Sequence, residues 1–441
     1  MKAEGCQSSR EAMSDNRPAW RRLAENAVIY TVSNAASSAV PFLLLPFLTR
    51  WLSPEEYGLV TMYSTLLAAL GALAGLSVHG AVSVRMFDRQ TSHARYIGTA
   101  LYILGVSLLA VAAAVLLASP WLEAWSGLPA GWLLLAVLAA GGQFLVNIRL
   151  VVWQVEGKAL RYGSFQFLQV AVNVGLSLLL VAGLHHGWSG RLAGISIALY
   201  LFAAIGLASL MRAGRIEWRF DPEYARDALR FGVPLMPHAI GSLFIAAGDR
   251  MIIAGALNLH EVGMYAAAMQ IGLVISMIAD AVTKALGPWI YKVLADGDAT
   301  MKRRVVRMTY AYFAGMLALG VGFGFLAPWL LAFLGEQYRS GATVIRWVAL
   351  GGAFSGMYLM VVAYVFYAKR SELLSAASLT IGLGNLALSY FLVTRHGAVG
   401  AAQAYAASQF LMFVVVWLIA AKCHPMPWRG ALRNPVPNQA I

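Results

Sequence analysis

The sequence predicts an all-α polytopic membrane protein: twelve transmembrane helices in two parallel six-helix repeats around a central cavity. Three observations predict it: the composition, the alternation of positive charge along the chain, and a motif that returns after 205 residues. Of 441 residues, 60% are hydrophobic and only 12% are charged, about half the charge of a soluble domain. The apolar runs last about 20 residues or more, enough for a helix to cross ~30 Å of hydrocarbon. Barrel strands would instead show short segments of alternating polarity.

In chain order, residues 1–26 are polar and carry Lys2, Arg10, Arg17, Arg21 and Arg22, which reads as a cytoplasmic tail. The first apolar run begins near Ala27 and passes Leu48. It is too long for a signal-peptide core and reads as a retained helix. Further segments fall at 58–82, 96–118, 131–153, 163–184 and 192–211, closing a first bundle over 27–211. A polar linker over 212–230 follows. The second bundle, 231–421, holds segments at 231–254, 262–288, 308–334, 342–368, 372–393 and 398–421, and residues 422–441 form a second tail.

Positive charge orients these segments. With the N-terminus inside, 25 of the 33 Lys and Arg fall in inside loops and tails, and the outside links hold only Arg50, Arg191, Arg339 and Arg395. The strict alternation supports the count of twelve and places both termini in the cytoplasm. It also accounts for most of the net charge of +13 without a nucleic-acid partner.

The returning motif is Leu52-Ser-Pro-Glu-Glu-Tyr-Gly58, matched 205 positions on by Leu257, Asn258, Glu261 and Gly263. In each copy a polar cap residue is followed three positions later by Glu, the pattern of a capping box opening a helix. Both copies fall on outside links, so the halves are expected to be parallel repeats about an axis along the membrane normal. Glu156-Gly-Lys158 and Tyr367-Ala-Lys369 form a weaker echo.

Several chemistries are missing. There is no phosphate-binding P-loop, His-Glu-x-x-His, Cys-x-x-Cys or Gly-x-Ser-x-Gly pattern, so no cofactor or catalytic metal is expected. Cys6 and Cys423 lie near opposite ends and imply no disulfide framework. Gly71-x-x-x-Gly75, Gly320-x-x-x-Gly324 and Gly352-x-x-x-Gly356 sit in apolar helices, where they predict close helix packing. Every outside link is short, which leaves little room for an acceptor-binding catalytic domain. Movement across the membrane remains.

Ionisable side chains inside lipid cost on the order of 3 kcal/mol each and require a reason. Asp249 and Arg250 lie in the outer third of the seventh segment. They line a water-filled cavity, or Arg250 snorkels outward while Asp249 pairs locally. Asp280 and Lys284, four apart in the eighth, form a polar cavity wall or a structural pair near the inner surface. Arg149 and Arg85 are candidate cavity cations, with snorkelling and ordinary positive-inside charge as the alternatives. His79 and His238 read as packed polar residues. Asn26, Ser33, Asn34, Ser37 and Ser38, with Pro41 and Pro46, give the first helix a polar, bendable face. Because the unpaired charge leans cationic, an anionic cargo is favoured.

These features together resemble a known family. Arg50-Trp-Leu-Ser-Pro-Glu-Glu-Tyr-Gly-Leu59 resembles the opening of bacterial polysaccharide biosynthesis flippases, the O-antigen and exopolysaccharide translocases. Gly80-Ala-Val-Ser-Val-Arg85 is similar to their Arg-ended second helix. Leu229 to Pro237, Asp249-Arg-Met-Ile-Ile253 and Glu261-Val-Gly-Met-Tyr265 are similar to their second-half signature. The resemblance spans nearly all of residues 20–420 and implies a transporter of the multidrug/oligosaccharidyl-lipid/polysaccharide superfamily. It implies two bundles rocking about a cavity lined by the first, second, seventh and eighth helices. The cargo implied is a polyprenyl-diphosphate-linked oligosaccharide, moved to the outer leaflet of the bacterial inner membrane and driven by H+ or Na+. Arg250, Lys284, Arg85 and Arg149 would meet the anion, and Asp249 or Asp280 would couple the ion. A polysaccharide polymerase and glycosyltransferases are the implied partners. Rival expectations are a lipid II-type or drug/cation exporter, or, in another class, a non-transporting membrane component, glycosyltransferase or polymerase.

Overall fold

The structure, a computed structural model, describes residues 39–428 except 87, 89, 90, 297, 298, 333–335, 369 and 370. Its regular structure is helical, with no strand among the described residues. The first half comprises α1 (Ala39–Trp51), α2 (Pro54–Leu73), α3 (Val78–Arg85), α4 (His93–Leu117), α5 (Ser119–Ser126), α6 (Ala130–Val155), α7 (Ala159–Leu178) and α8 (Gly187–Arg212). The second comprises α9 (Pro222–Ala256), α10 (Leu259–Gly272), α11 (Val274–Asp296), α12 (Ala299–Ala332), α13 (Ala342–Tyr367), α14 (Ser371–His396) and α15 (Ala398–Cys423). Ten continuous spans among the described residues are long and apolar enough to cross a membrane, with α2–α3 and α10–α11 each forming one span. Large apolar side chains point outward along them, Leu117 at 87% and Phe325 at 76% exposure among them. That surface needs lipid to cover it, and the chain is a multi-pass membrane protein.

Two of the twelve expected segments are not among the ten. Of the first, only the 13-residue α1 lies within the described residues, and its polar residues Asn26 to Ser38 fall outside them. The seventh lies within α9, a 35-residue helix whose Pro234, Pro237, His238, Asp249 and Arg250 dilute its apolar character. The helix also starts earlier than the linker boundary suggested. Asp221 caps it by accepting from the Glu223 and Tyr224 amides at 3.0 and 3.3 Å, so 222–230 is helical and the connection is only 213–221, a turn at 213 and 214 followed by irregular chain.

Contacts sort the loops into two ends. At one, the link end, Gln337 Nε2 donates to the Thr49 and Leu52 carbonyls at 3.1 Å each, and the Tyr338 hydroxyl donates to Leu52 at 3.2 Å. The last carbonyls of α1, which have no partner within their own helix, are thus satisfied by the second half. Glu56 also accepts from the Trp188 amide at 3.4 Å. At the opposite, basic end, Arg215 pairs with Glu156, Arg95 with Glu217 at 3.1 Å and Arg85 with Asp227. Residues 215–221 lie along the start of α4 there. The Glu217 amide donates to Ala94 O at 3.0 Å, and the Asp221 amide to Thr99 Oγ1 at 3.2 Å.

The capping boxes differ between the copies. At α2 both bonds form: the Glu56 amide donates to Ser53 Oγ at 3.2 Å and the Ser53 amide to Glu56 Oε2 at 3.0 Å. At α10 only the forward bond forms, from the Glu261 amide to Asn258 Oδ1 at 2.9 Å. The glycine pairs differ too. Gly320 lies against Ala349 and Ala353, and Gly356 against Ala279, so both let α13 pack closely. Gly71 touches nothing, and Gly75 begins a left-handed turn, with φ of 69°, 51° and 56° at Gly75, Leu76 and Ser77. This turn breaks the second span into α2 and α3. A left-handed residue other than glycine costs roughly 1–2 kcal/mol. The turn is held from outside: Ser107 Oγ accepts from the Gly75 amide at 2.8 Å, and Gly232 of α9 passes directly over the Leu76 carbonyl.

Candidate functional site

The two halves meet most closely where α2 crosses α10. A Cβ on Gly58 would lie 2.1 Å from the Leu259 carbonyl oxygen, and one on Gly263 would lie 1.8 Å from that of Pro54. The exchange is reciprocal at the same offset of 205: residue 58 meets 259, and residue 263 meets 54. Only glycine permits the approach, because any side chain would strike backbone. Gly127 and Trp125 of the α5 region close around the same crossing, against Leu259 and Gly255.

Beneath this seal lies a polar layer. The Tyr57 hydroxyl donates to Gln270 Oε1 at 3.0 Å, joining α2 to α10 across the halves. The Tyr265 hydroxyl donates to the Asp249 carboxylate in a short bond, and the other carboxylate oxygen accepts from the Arg250 amide at 2.8 Å. Asp249 is only 9% exposed. The Arg250 guanidinium stays beside it at 3.5 Å, so the adjacent acid and base pair locally. Tyr57 lies within electrostatic reach of both Arg250 and Arg191. Arg191 turns inward from its predicted outside link, donating from Nη1 to Asn173 Oδ1 at 2.6 Å and to Ser177. Its Nε and the Gln270 amide nitrogen are buried with no hydrogen-bond partner among the described residues.

The other expected cations lie elsewhere. Arg85 makes a two-pronged ion pair with Asp227, with its Nε 2.9 Å from Oδ2, and the Tyr96 hydroxyl donates to the same carboxylate at 2.9 Å. Three elements, α3, α4 and α9, thus converge on one acid at the basic end. The Arg85 guanidinium holds the Asp227 carboxyl below its ordinary range, with the Tyr96 bond adding to the effect. Arg149 is 4% exposed. Its guanidinium lies 4.0 Å over the Trp153 ring, its stem packs near Gly206, and its Nε and Nη1 have no hydrogen-bond partner among the described residues. Arg149 therefore sits within the wall of the first bundle. Asp280 is half-buried on α11, and the Lys284 side chain lies outside the described residues, as does that of His238. His79 packs edge-on against Phe144. Sequence reasoning missed Tyr265, the Tyr57–Gln270 bridge, the inward turn of Arg191 and Asp227. Each depends on a partner that sequence spacing does not reveal.

This helical arrangement is shared with solved transporters. It superposes on the lipid II flippase MurJ, inward closed conformation, with a TM-score of 0.72, covering 90% of this chain and 87% of that one at 13% identity. An inward-facing multidrug resistance MATE family transporter of the MOP superfamily gives 0.64, covering 87% and 94% at 17% identity. The fold is therefore the one these transporters have. Residues 23–294 match the model of the polysaccharide biosynthesis protein family, and the chain belongs to that family. Among its relatives, Lsg locus putative protein 1 of Haemophilus influenzae is 26% identical over 370 residues, 80% of this chain and 87% of the relative. The succinoglycan biosynthesis transport protein ExoT of Rhizobium meliloti is 23% identical over 411 residues, 88% and 75%.

Proposed function

We propose that this protein is a flippase that carries a polyprenyl-diphosphate-linked oligosaccharide from the cytoplasmic to the periplasmic leaflet of the bacterial inner membrane. It acts by alternating access, in surface polysaccharide assembly beside a polymerase and glycosyltransferases, and as a transporter rather than an enzyme. The observation that carries the reading is the reciprocal glycine crossing sealed over the Asp249–Arg250–Tyr265 layer, in a chain of this family. A backbone-to-backbone seal that a small separation would open is what a rocking pair of bundles needs at one gate. The reading takes twelve crossings, with α1 and the 231–254 part of α9 supplying the two beyond the ten spans. It takes the halves as parallel repeats, supported by the shared 205 offset, and both termini as cytoplasmic, supported by the charge alternation.

In this cycle the described state is closed at the link end, taken as periplasmic. The hydrogen bonds and ion pairs described at the basic end run through residues 214–221 and the first turns of α9, which leaves the space between the bundles to open there. Arg250 is the cation placed to meet a diphosphate or acidic sugar, with Lys284 as its partner by sequence. Asp249 couples the ion: uptake of a proton or Na+ neutralises the carboxylate bonded by Tyr265 and thereby loosens its hold on Arg250. Arg85 and Arg149 serve the frame, the first by tying α3 to α9 and the second by packing.

The test is deletion in the native host, scoring surface polysaccharide, with rescue by wild type, Arg250→Ala and Asp249→Asn. Loss of polymer restored by wild type and by neither variant is expected. Unchanged polymer on deletion would remove the assignment to polysaccharide export, and equal rescue by all three would remove the site.

A further inference from the structure

On the flank of the molecule, away from the seal, α4 and the first turns of α9 bound a groove beside the left-handed turn. Its floor and walls are apolar: Leu73, Leu76, Ile103, Val106, Val111 and Leu229 enclose about 530 Å³. It continues across Phe220, Ala225 and Leu229 into a second depression of about 670 Å³ lined by Arg226 and Arg230. These arginines are four apart on α9 and share one face of the helix. Both are exposed.

Their pairing sets them apart from neighbouring cations. Arg85, Arg95 and Arg215 each hold a carboxylate. Arg226 and Arg230 form no ion pair or hydrogen bond among the described residues. The nearby acids are held chiefly by others: Asp221 caps α9 and faces Arg95 at 3.8 Å, and Asp227 is bonded by Arg85 and Tyr96, with Arg230 within electrostatic reach of it but not bonded to it. Glu223 lines neither depression. An aromatic rim borders the junction, with Tyr102 edge-on to both Trp218 and Phe220 at 6.3 and 6.0 Å. Trp218 and Phe220 are half exposed. Aromatic rings of this kind mark the headgroup level of a bilayer, and paired cations at that level attract anionic lipid.

We propose that this groove is a binding site for one anionic glycerophospholipid of the leaflet at the basic end. A chain lies along Val106 and Leu229, and the phosphate sits on Arg226 and Arg230. The occupant spans α4 of the first half and α9 of the second, beside the turn that divides α2 from α3. It therefore bears on the mobility of the two halves without being the cargo. The proposal is independent of what the protein transports.

The test uses the purified full chain, delipidated in detergent and titrated with phosphatidylglycerol or with phosphatidylcholine of the same chains, read by native mass spectrometry and by thermal shift. Wild type is expected to retain phosphatidylglycerol on the order of tenfold better. Arg226→Gln with Arg230→Gln should bring the ratio close to one. Val106→Trp, at a position 71% exposed where folding tolerates the change, should weaken both lipids by filling the groove. Size-exclusion profile and helical circular dichroism check that each variant is folded. Equal retention of the two lipids by wild type, a preference that survives the double Gln variant, or retention of both lipids left unchanged by Val106→Trp would each overturn the site. So would displacement of phosphatidylglycerol by an equimolar short-chain polyprenyl phosphate, since that would make the groove a cargo site.

Discussion

Gly263→Ala is the perturbation whose outcome the structure dictates most directly. The added methyl would stand 1.8 Å from the Pro54 carbonyl oxygen, and restoring the 3.4 Å of ordinary contact requires α10 to withdraw from α2 by about 1.6 Å. The obstacle is backbone on a capped helix start, so no side chain can rotate away. Overpacking of this kind costs about 1–3 kcal/mol. The cost falls only on the state in which the link end is closed, because separated bundles leave the methyl room. The closed-to-open ratio should therefore fall by roughly 5- to 150-fold. The assay is labelling of single cysteines at Tyr57 or Gln270, beneath the seal, by a membrane-impermeant maleimide added from the link side. Both should be protected in the parent protein and should label at least fivefold faster with Gly263→Ala. Gly58→Ala, its counterpart at 2.1 Å from Leu259, should reproduce the effect. If both variants fold, express and leave labelling unchanged, the crossing is not a gate and the reasoning fails.

Three further outcomes follow from the polar contacts. Tyr265→Phe removes the hydroxyl bonded to buried Asp249 and should lower stability by about 1–3 kcal/mol, measured by thermal unfolding in detergent; no change would mean that Asp249 is solvated. The Arg85–Asp227 pair is partly exposed, with side-chain exposures of 41% and 35%, so Asp227→Asn should cost only about 0–1 kcal/mol. Its pH dependence is diagnostic: because Asp227 is held below its ordinary 3.8, the pair contributes fully above that value and is lost as pH falls through the lower folded value. The difference in melting temperature between wild type and Asp227→Asn should therefore be flat from pH 5 to 8 and close only in stronger acid; closure near neutrality would refute the pairing. Arg149→Met replaces the guanidinium over Trp153 with an apolar side chain and removes two buried nitrogens that have no hydrogen-bond partner among the described residues. It should leave stability equal or raised and rescue polysaccharide export, and loss of rescue in a stably expressed variant would make Arg149 a cargo ligand.

Composition and charge made the helical membrane architecture legible, because lipid demands long apolar helices and the loop arginines record which links share a side. The returning motif was legible as well, and the structure brings its two glycines into contact. The break within the second span was not. Gly71 and Gly75 read as a packing pair, yet the turn at 75–77 is imposed by Ser107 and Gly232, residues that no local pattern connects to it. Asp227 went unnoticed within the polar linker, because its partner Arg85 lies 142 positions away. Arg191 counted as an outside-link charge because its spacing says nothing of Asn173 and Ser177 on the neighbouring helix. Asp249 and Arg250 stood out on cost alone. Their local pairing follows from adjacency, and the tyrosine that completes it belongs to another helix.

The most direct test of the central claim is the sidedness of the lipid-linked repeat unit in a strain lacking this protein. Spheroplasts and inverted vesicles would be probed with a glycan-modifying enzyme that cannot cross the membrane. The account predicts complete repeat units that accumulate and react only from the cytoplasmic face, with periplasmic reactivity restored by the wild-type chain and not by Arg250→Ala. Repeat units that reach the periplasmic face at the normal rate without the protein would contradict it.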